Sequence, residues 1–329
     1  MHVVIQRFSL VKQARIVAKF SSFSPRVGQT QKPGQEARTS NETRYETDKV
    51  EFERGTPRLR MVTSLNKRRH REKHSRITLE GWRLVKEALM ANAKPLGIFY
   101  SEPGLLDHID TSNLPNNCLA QVSKSTMETI SNAVTPPGIV GMFRRPGQGE
   151  GGELRNQNTL QNPLTVLCDG LRDPTNMGSL VRICAAAGCQ SFITSTGCVD
   201  VWDPKVFRCS AGGHFYIPIH YNLGWEEIET LIGDKRIFLA DNNISGELNI
   251  PSSEHFEVDW TLGPSVLVIG GETTGLGATV KNLARQNSGQ LVRVPMVNTI
   301  ESLNAAMAGT VIVYEAYRQL LITAKQAKN

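Results

Sequence analysis

Apolar and polar positions along this chain follow two different periods, and each change of period marks an element. Short apolar runs that suit buried strands lie at 95–100, 118–122, 139–143, 164–168, 191–195, 214–219, 236–240, 266–269 and 291–295. Between them the apolar residues return every three or four positions, as on one face of a helix. Leu79, Trp82, Val85 and Leu89 do so, and the segments 124–130, 177–187, 204–211, 225–232 and 276–286 read the same way. A last long helix starts at 301–304 and is rich in small residues (Ala305, Ala306, Ala308, Gly309), which implies close backbone packing. From residue 163 onward, strands alternate with helices, which predicts a parallel sheet covered by helices on both faces. Residues 63–145 hold fewer elements and predict a small α/β sandwich, and 146–162, rich in Gly, Asn and Gln, read as a flexible linker.

Charge changes the picture at the N-terminus. The 329 residues carry a formal net charge of +6, which favours an acidic partner such as nucleic acid. Residues 1–35 contain six Lys or Arg and no Asp or Glu, and Val4, Phe8, Val11 and Ile16 can form an apolar face among them. That composition predicts a mitochondrial transit peptide and matrix localisation. Residues 36–62 read as a disordered leader. The run from Asn66 to Arg76 concentrates positive charge, and Lys67, Arg68, Arg69 and Arg71 are its candidate RNA contacts. No apolar run is long enough to span a bilayer. The six cysteines form no C-x-x-C pair and the histidines show no ligand spacing, so neither a metal nor a disulfide frame is expected.

Three stretches share a strand–loop–helix form: LTVLCDGLRDPTNMGSLVRICAAAG at 164–188, SVLVIGGETTGLG at 265–277, and LVRVPMVNTIESLNAAMAGTVIVYEAYRQL at 291–320. Such loops lie at the carboxyl end of a parallel sheet, where ligands bind. Glu301 and Ser302 favour a helix start, and Thr175 or Asn176 suits the cap of the first helix. Gly270, Gly271 and Gly275 allow a ligand to approach the backbone closely. No G-x-G-x-x-G follows the first strand, so a Rossmann-type dinucleotide site is not expected.

In this order and spacing, the three stretches resemble the three motifs of the SpoU (TrmH-type) branch of the SPOUT RNA methyltransferases. Gly270-Gly271-Glu272 in place of the more usual Gly-Asn-Glu resembles a mitochondrial rRNA methyltransferase subgroup. The resemblance implies an α/β knot, in which a trefoil-knotted parallel sheet carries helices on both faces, over 163–329. It also implies a ribosomal-protein-L30e-like RNA-binding domain before it, matched by Lys67, Glu80-Gly81 and Pro136-Pro137-Gly138. The implied cofactor is S-adenosyl-L-methionine, held by Gly270, Gly271, Val294, Met296 and Leu303. The implied catalytic residues are Asn176, Arg182, Glu272, Ser302 and Asn304, with Arg182 clamping a phosphate or orienting the ribose 2′-oxygen. Asn176 and Arg182 are six positions apart and so lie about 120° apart around a helix. The implied reaction is 2′-O-methylation of a guanosine in mitochondrial large-subunit rRNA, in support of ribosome assembly. The partners would be that rRNA, a mitoribosome precursor and a second copy of the knotted domain. A tRNA substrate, or an assembly factor with dispensable catalysis, are the alternatives.

Overall fold

The computed structural model describes residues 56–147, 162–242, 250–272, 275–297, 300 and 302–327. The transit segment, the leader up to residue 55, most of the linker and Glu301 lie outside the described residues.

The first unit runs α1 (Pro57–Ser64), α2 (Arg68–His74), β1 (Arg76–Glu80), α3 (Trp82–Met90), β2 (Pro95–Tyr100), β3 (Leu119–Gln121), α4 (Lys124–Ile130) and β4 (Ile139–Arg144). Its four strands lie in the order β1-β4-β2-β3, with β2 and β3 parallel and the other pairs antiparallel. Alternate residues face opposite sides of a strand. Ile77, Leu79, Ile98 and Phe143 therefore pack with Leu84, Val85 and Ala88 of α3. Phe99, Val140 and Met142 pack on the other face with Leu59 and Val62 of α1 and Met127 and Ile130 of α4. Helix α1 thus begins ahead of the boundary expected at 63, within the stretch expected to be disordered: Pro57 fits the first helical turn, where no N–H is needed, and Leu59 and Val62 are buried. Strand β1 is also new, because Ser75 in the left-handed region (φ 49°) ends α2 and turns the chain into it.

The second unit runs β5 (Asn162–Asp169), α5 (Pro174–Ala186), β6 (Cys189–Ser195), α6 (Pro204–Ser210), β7 (Ile219–Leu223), α7 (Trp225–Ile232), β8 (Arg236–Ala240), β9 (Ser252–Glu254), β10 (Ser265–Gly270), α8 (Ala278–Gln286), β11 (Gln290–Arg293) and α9 (Ala305–Gln326). The sheet order is β7-β6-β5-β10-β8-β11-β9, and every pair is parallel. Its central strands are buried on both faces, which explains their unbroken apolar runs. Val166, Cys168, Leu267 and Ile269 face α5 and α9, while Leu167, Val266 and Val268 face α7 and α8. A Cβ on Gly309 would come within 2.6 Å of Leu180 and 2.7 Å of Ile269, so α9 lies very close to α5 and β10.

Three local expectations are corrected. The strand expected at 214–219 is instead a 3₁₀ turn (Gly213–Phe215) followed by β7, because His214 is consumed in a buried ring stack on Phe207. Helix α5 is capped by Asp173, whose carboxylate accepts from the N–H groups of Thr175 and Asn176 at 2.7 and 2.9 Å. Such a cap contributes about 1 kcal/mol. Asn304 caps α9, accepting from the N–H groups of Ala306 and Met307, so Ser302 precedes the helix.

Candidate active site

The strands β5 and β10 are in register, so Asp169 and Gly270 end side by side; Ala240 of β8 pairs with both Ile269 and Val292. Beyond these ends opens a cleft of about 430 Å³. Ile269, Leu276, Val292, Val294, Leu303 and Ile312 give it apolar walls, and Asp241, Asn242, Glu272, Ser302 and Asn304 give it a polar rim. Gly270 and Gly271 lie along one side. Of the residues expected to hold a cofactor, Gly270, Gly271, Val294 and Leu303 line this cleft. Met296 stands one step back, its sulfur accepting from Asn242 Nδ2 at 3.6 Å.

Glycine is required here for backbone reasons. A Cβ on Gly270 would lie 2.5 Å from the carbonyl carbon of Gly275 and 2.7 Å from its oxygen. The Gly271 and Gly275 backbones hydrogen-bond reciprocally at 3.0–3.1 Å and fold the loop back on itself. Gly275 has φ 62°, which a side chain would strain.

One chain of hydrogen bonds joins all three motifs. Glu272 Oε1 accepts from Asn176 Nδ2 at 2.9 Å, and Asn176 Oδ1 accepts from Asn304 Nδ2 at 2.9 Å. Asn304 Oδ1 is committed to the α9 N–H groups, so its amide nitrogen can only donate. Asn176 must then accept with its oxygen and donate to Glu272, which serves as a carboxylate acceptor. Partial burial pushes the Glu272 carboxyl up. The Asn176 amide, its own N–H and those of Arg172 and Asp173 outweigh that and hold it below the usual glutamate range. The polarity of the whole chain is therefore set at neutral pH.

Arg182 is elsewhere. It lies exposed on α5 and lines a second groove with Arg208, Gly213 and Tyr216 of the same unit. The 120° offset from Asn176 explains this, since Asn176 is buried on the cleft side. The single chain thus brings together Asn176, Glu272, Ser302 and Asn304 but not Arg182.

The basic run needs one correction. Arg71 is buried, with its guanidinium 2.6 Å from Asp200 and bonded to the carbonyls of Leu65 and Asn66. It joins the two units and presents nothing to RNA. Arg68 pairs with Glu72 one turn along α2, while Lys67 and Arg69 are exposed. Asp169 was missed by the sequence reading: its carboxylate accepts from Ser195 Oγ and from the N–H of Gly277, tying β5 and β6 to the start of α8. An acid closing a buried apolar run was the available signal, as Asp-Pro at 173–174 and 203–204 was for two helix caps. Among the described residues, no group of His, Cys, Asp or Glu could hold a metal, and no helix is long and apolar enough to cross a membrane.

A profile of the SpoU rRNA Methylase family matches residues 163–314, and one of an MRM3-like substrate binding domain matches residues 56–141. The human protein "rRNA methyltransferase 3, mitochondrial" is 31% identical over 97% of this chain and 87% of its own length. The chain belongs to the SpoU rRNA methylase family. Another relative, the Bacillus subtilis 23S rRNA (guanosine(2553)-2′-O)-methyltransferase, is 25% identical over 76% of the chain and 92% of its own length. The AdoMet-bound rRNA methyltransferase from Sinorhizobium meliloti shares the fold, with a TM-score of 0.65 at 24% identity over 82% of this chain and 97% of that one. The α/β-knot class expected from the motifs is therefore the fold of this SpoU enzyme. SpoU methylases use S-adenosyl-L-methionine, and the cleft fits it. Apolar walls suit the adenine, and a backbone kept bare by Gly270, Gly271 and Gly275 together with a polar rim suits the ribose and methionine ends.

Proposed function

We propose that this SpoU methylase transfers a methyl group to the ribose 2′-oxygen of a guanosine in mitochondrial large-subunit rRNA, working as a homodimer in the matrix. The observation that carries this reading is the Glu272–Asn176–Asn304 chain, which locks the three motif loops into one wall of a glycine-lined cleft. S-adenosyl-L-methionine supplies the methyl group as an electrophile. Gly270, Gly271, Val294 and Leu303 hold it, with Met296 supporting the wall through Asn242. Glu272 and Asn304 fix the entrance of the cleft, and Ser302 offers a hydroxyl at its rim. Arg182, always charged, clamps a phosphate or orients the 2′-hydroxyl.

Two features support a second copy. Arg182 opens onto a different groove from the cleft of its own chain. Met307, Val311 and Tyr314 form an exposed apolar stripe at helical spacing along α9, and the exposed Leu303, just before the helix, continues it to the cleft. A partner seated on this stripe can bring its own Arg182 to the cleft and cover the apolar face. The mitochondrial relative and the acid-free basic start of the chain support matrix import. A role in assembling the large ribosomal subunit follows if methylation occurs on a precursor particle.

The full chain, incubated with S-adenosyl-L-methionine and a mitochondrial large-subunit rRNA transcript, is expected to make one guanosine linkage resistant to alkali. Arg182→Ala should lose methyl transfer while cofactor binding and dimer mass persist. Methyl groups found in mitochondrial tRNA, or on a base, would refute the assignment.

A further inference from the structure

The second groove, about 960 Å³ in volume, runs between α3 of the first unit and α5 and α6 of the second. Arg83, Lys86, Arg182 and Arg208 line it, against one carboxylate, Glu87. Glu87 is already engaged, accepting from the Tyr216 hydroxyl across the two units. Among the described residues, Arg83, Lys86 and Arg182 form no ion pair, and Arg208 reaches Glu80 only at 4.0 Å. Like charges gathered in a concavity raise the local potential and cost stability when nothing neutralises them. Such an arrangement suits a polyanion that binds there. Arg83 and Lys86 are three apart on α3, so they face the same way, and both are exposed. The Arg83 guanidinium lies 4.7 Å over the ring of Trp82, which itself stacks on His108 at 4.5 Å. That stack holds the charge in place without neutralising it. The Glu87–Tyr216 bond fixes α3 against the second unit, and so fixes the distance from Arg83 and Lys86 to Arg182.

We propose that this groove is the track for the substrate RNA backbone: Arg83, Lys86 and Arg208 bind successive phosphates and lead the strand to Arg182. Trp82 acts as a positioning residue for Arg83. The inference rests on the reading of the protein as an RNA methyltransferase. It moves the main RNA contact of the first unit from the basic run at 66–76 to α3.

The test is fluorescence anisotropy on the full chain with a labelled single-stranded fragment of large-subunit rRNA, between 50 and 200 mM salt, a window across which affinity varies steeply. R83Q/K86Q is expected to weaken binding about tenfold and to flatten the slope of log K against log salt by roughly 1.4, two phosphate contacts on a single strand. Ala186→Glu, on the exposed end of α5, adds an opposing charge without removing any contact and should weaken binding in the same direction. S-adenosyl-L-methionine affinity should stay at the parent value in both, which also reports that they are folded. Parent-like affinity and salt slope in both variants would overturn the track. Tight RNA binding by the parent with no methyl transfer to any RNA would instead defeat the enzymatic reading and leave the track standing.

Discussion

Replacing Arg71 with alanine should cost stability and leave RNA affinity intact, because its guanidinium is buried against Asp200. Read in its run, Arg71 is one more RNA contact; in the structure it is 3% exposed at the side chain and faces Asp200, itself 8% exposed. Its Nε and Nη2 both reach Asp200 Oδ2, at 3.0 and 2.6 Å, and Nη1 serves two carbonyls at 2.8 and 3.0 Å. Asp203 adds a second carboxylate at 3.6 Å. Arg71→Ala would leave Asp200 with one remaining backbone donor, Trp202 N–H, and would leave the Leu65 and Asn66 carbonyls without this partner. Removing one member of a buried pair costs about 3–5 kcal/mol. For a body of this size that is a fall in Tm of roughly 6–20 °C. Calorimetry of Arg71→Ala beside K67Q/R69Q makes the comparison, with RNA affinity measured on both. The alanine variant should lose stability and, at a temperature where it is folded, keep RNA affinity; the surface variant should keep its Tm. A double variant, R71M/D200N, should recover part of the loss, because the buried carboxylate goes with its partner. An Arg71→Ala protein that melts like the parent but binds RNA weakly would refute the burial argument.

Three further predictions rest on backbone packing and on titration. Gly270→Ala should weaken S-adenosyl-L-methionine binding about tenfold or more by calorimetry, since its Cβ meets backbone at 2.5 Å and the loop must open, at a typical overpacking cost of 1–3 kcal/mol. Gly309→Ala, which meets the ends of two movable side chains, should instead lower Tm and leave binding nearly intact. His214 is fully buried between Ser210 Oγ and the Val201 carbonyl, each at 2.8 Å, and burial drives its pKa down to about 4 despite the opposing pull of that carbonyl and of Asp200. Its folded pKa lies below the unfolded 6.5, so its contribution to stability is complete above pH 6.5 and drains away as pH falls toward 4. The limiting slope is about 1.4 kcal/mol per pH unit. Denaturant melts of His214→Gln should show a flatter acid limb than the parent, and nitrogen NMR should find the His214 ring neutral, protonated on Nε2, at pH 5.5.

How much of this was legible depends on whether a residue's partner is near it in sequence or in pattern. The strands at 95–100 and 236–240 and the helix at 225–232 are local signals and appear as read. Strand β9, Ser252–Glu254, is a polar three-residue edge and carries no apolar signal at all. Gly270 and Gly275 were legible because close backbone approach and a positive φ favour glycine, whereas Asn304 came only from the motif resemblance, the local signal having pointed to Glu301 and Ser302 as the helix start. The 120° offset between Asn176 and Arg182 could be read from their spacing, but not what the fold places on either side of the helix. Asn176 and Arg182 belong to one motif, yet helical geometry sends the first into a buried hydrogen-bond chain and the second to an open groove 120° away. Arg71 and Arg69 are two residues apart, yet one meets an aspartate 129 positions downstream and the other meets solvent. In each pair the side chain's role is set by what the rest of the fold carries to that side of the helix. A basic run or a motif string therefore identifies the chemistry available to this enzyme, while the sheet that aligns Asp169, Gly270 and Val292 decides which of those groups share a site.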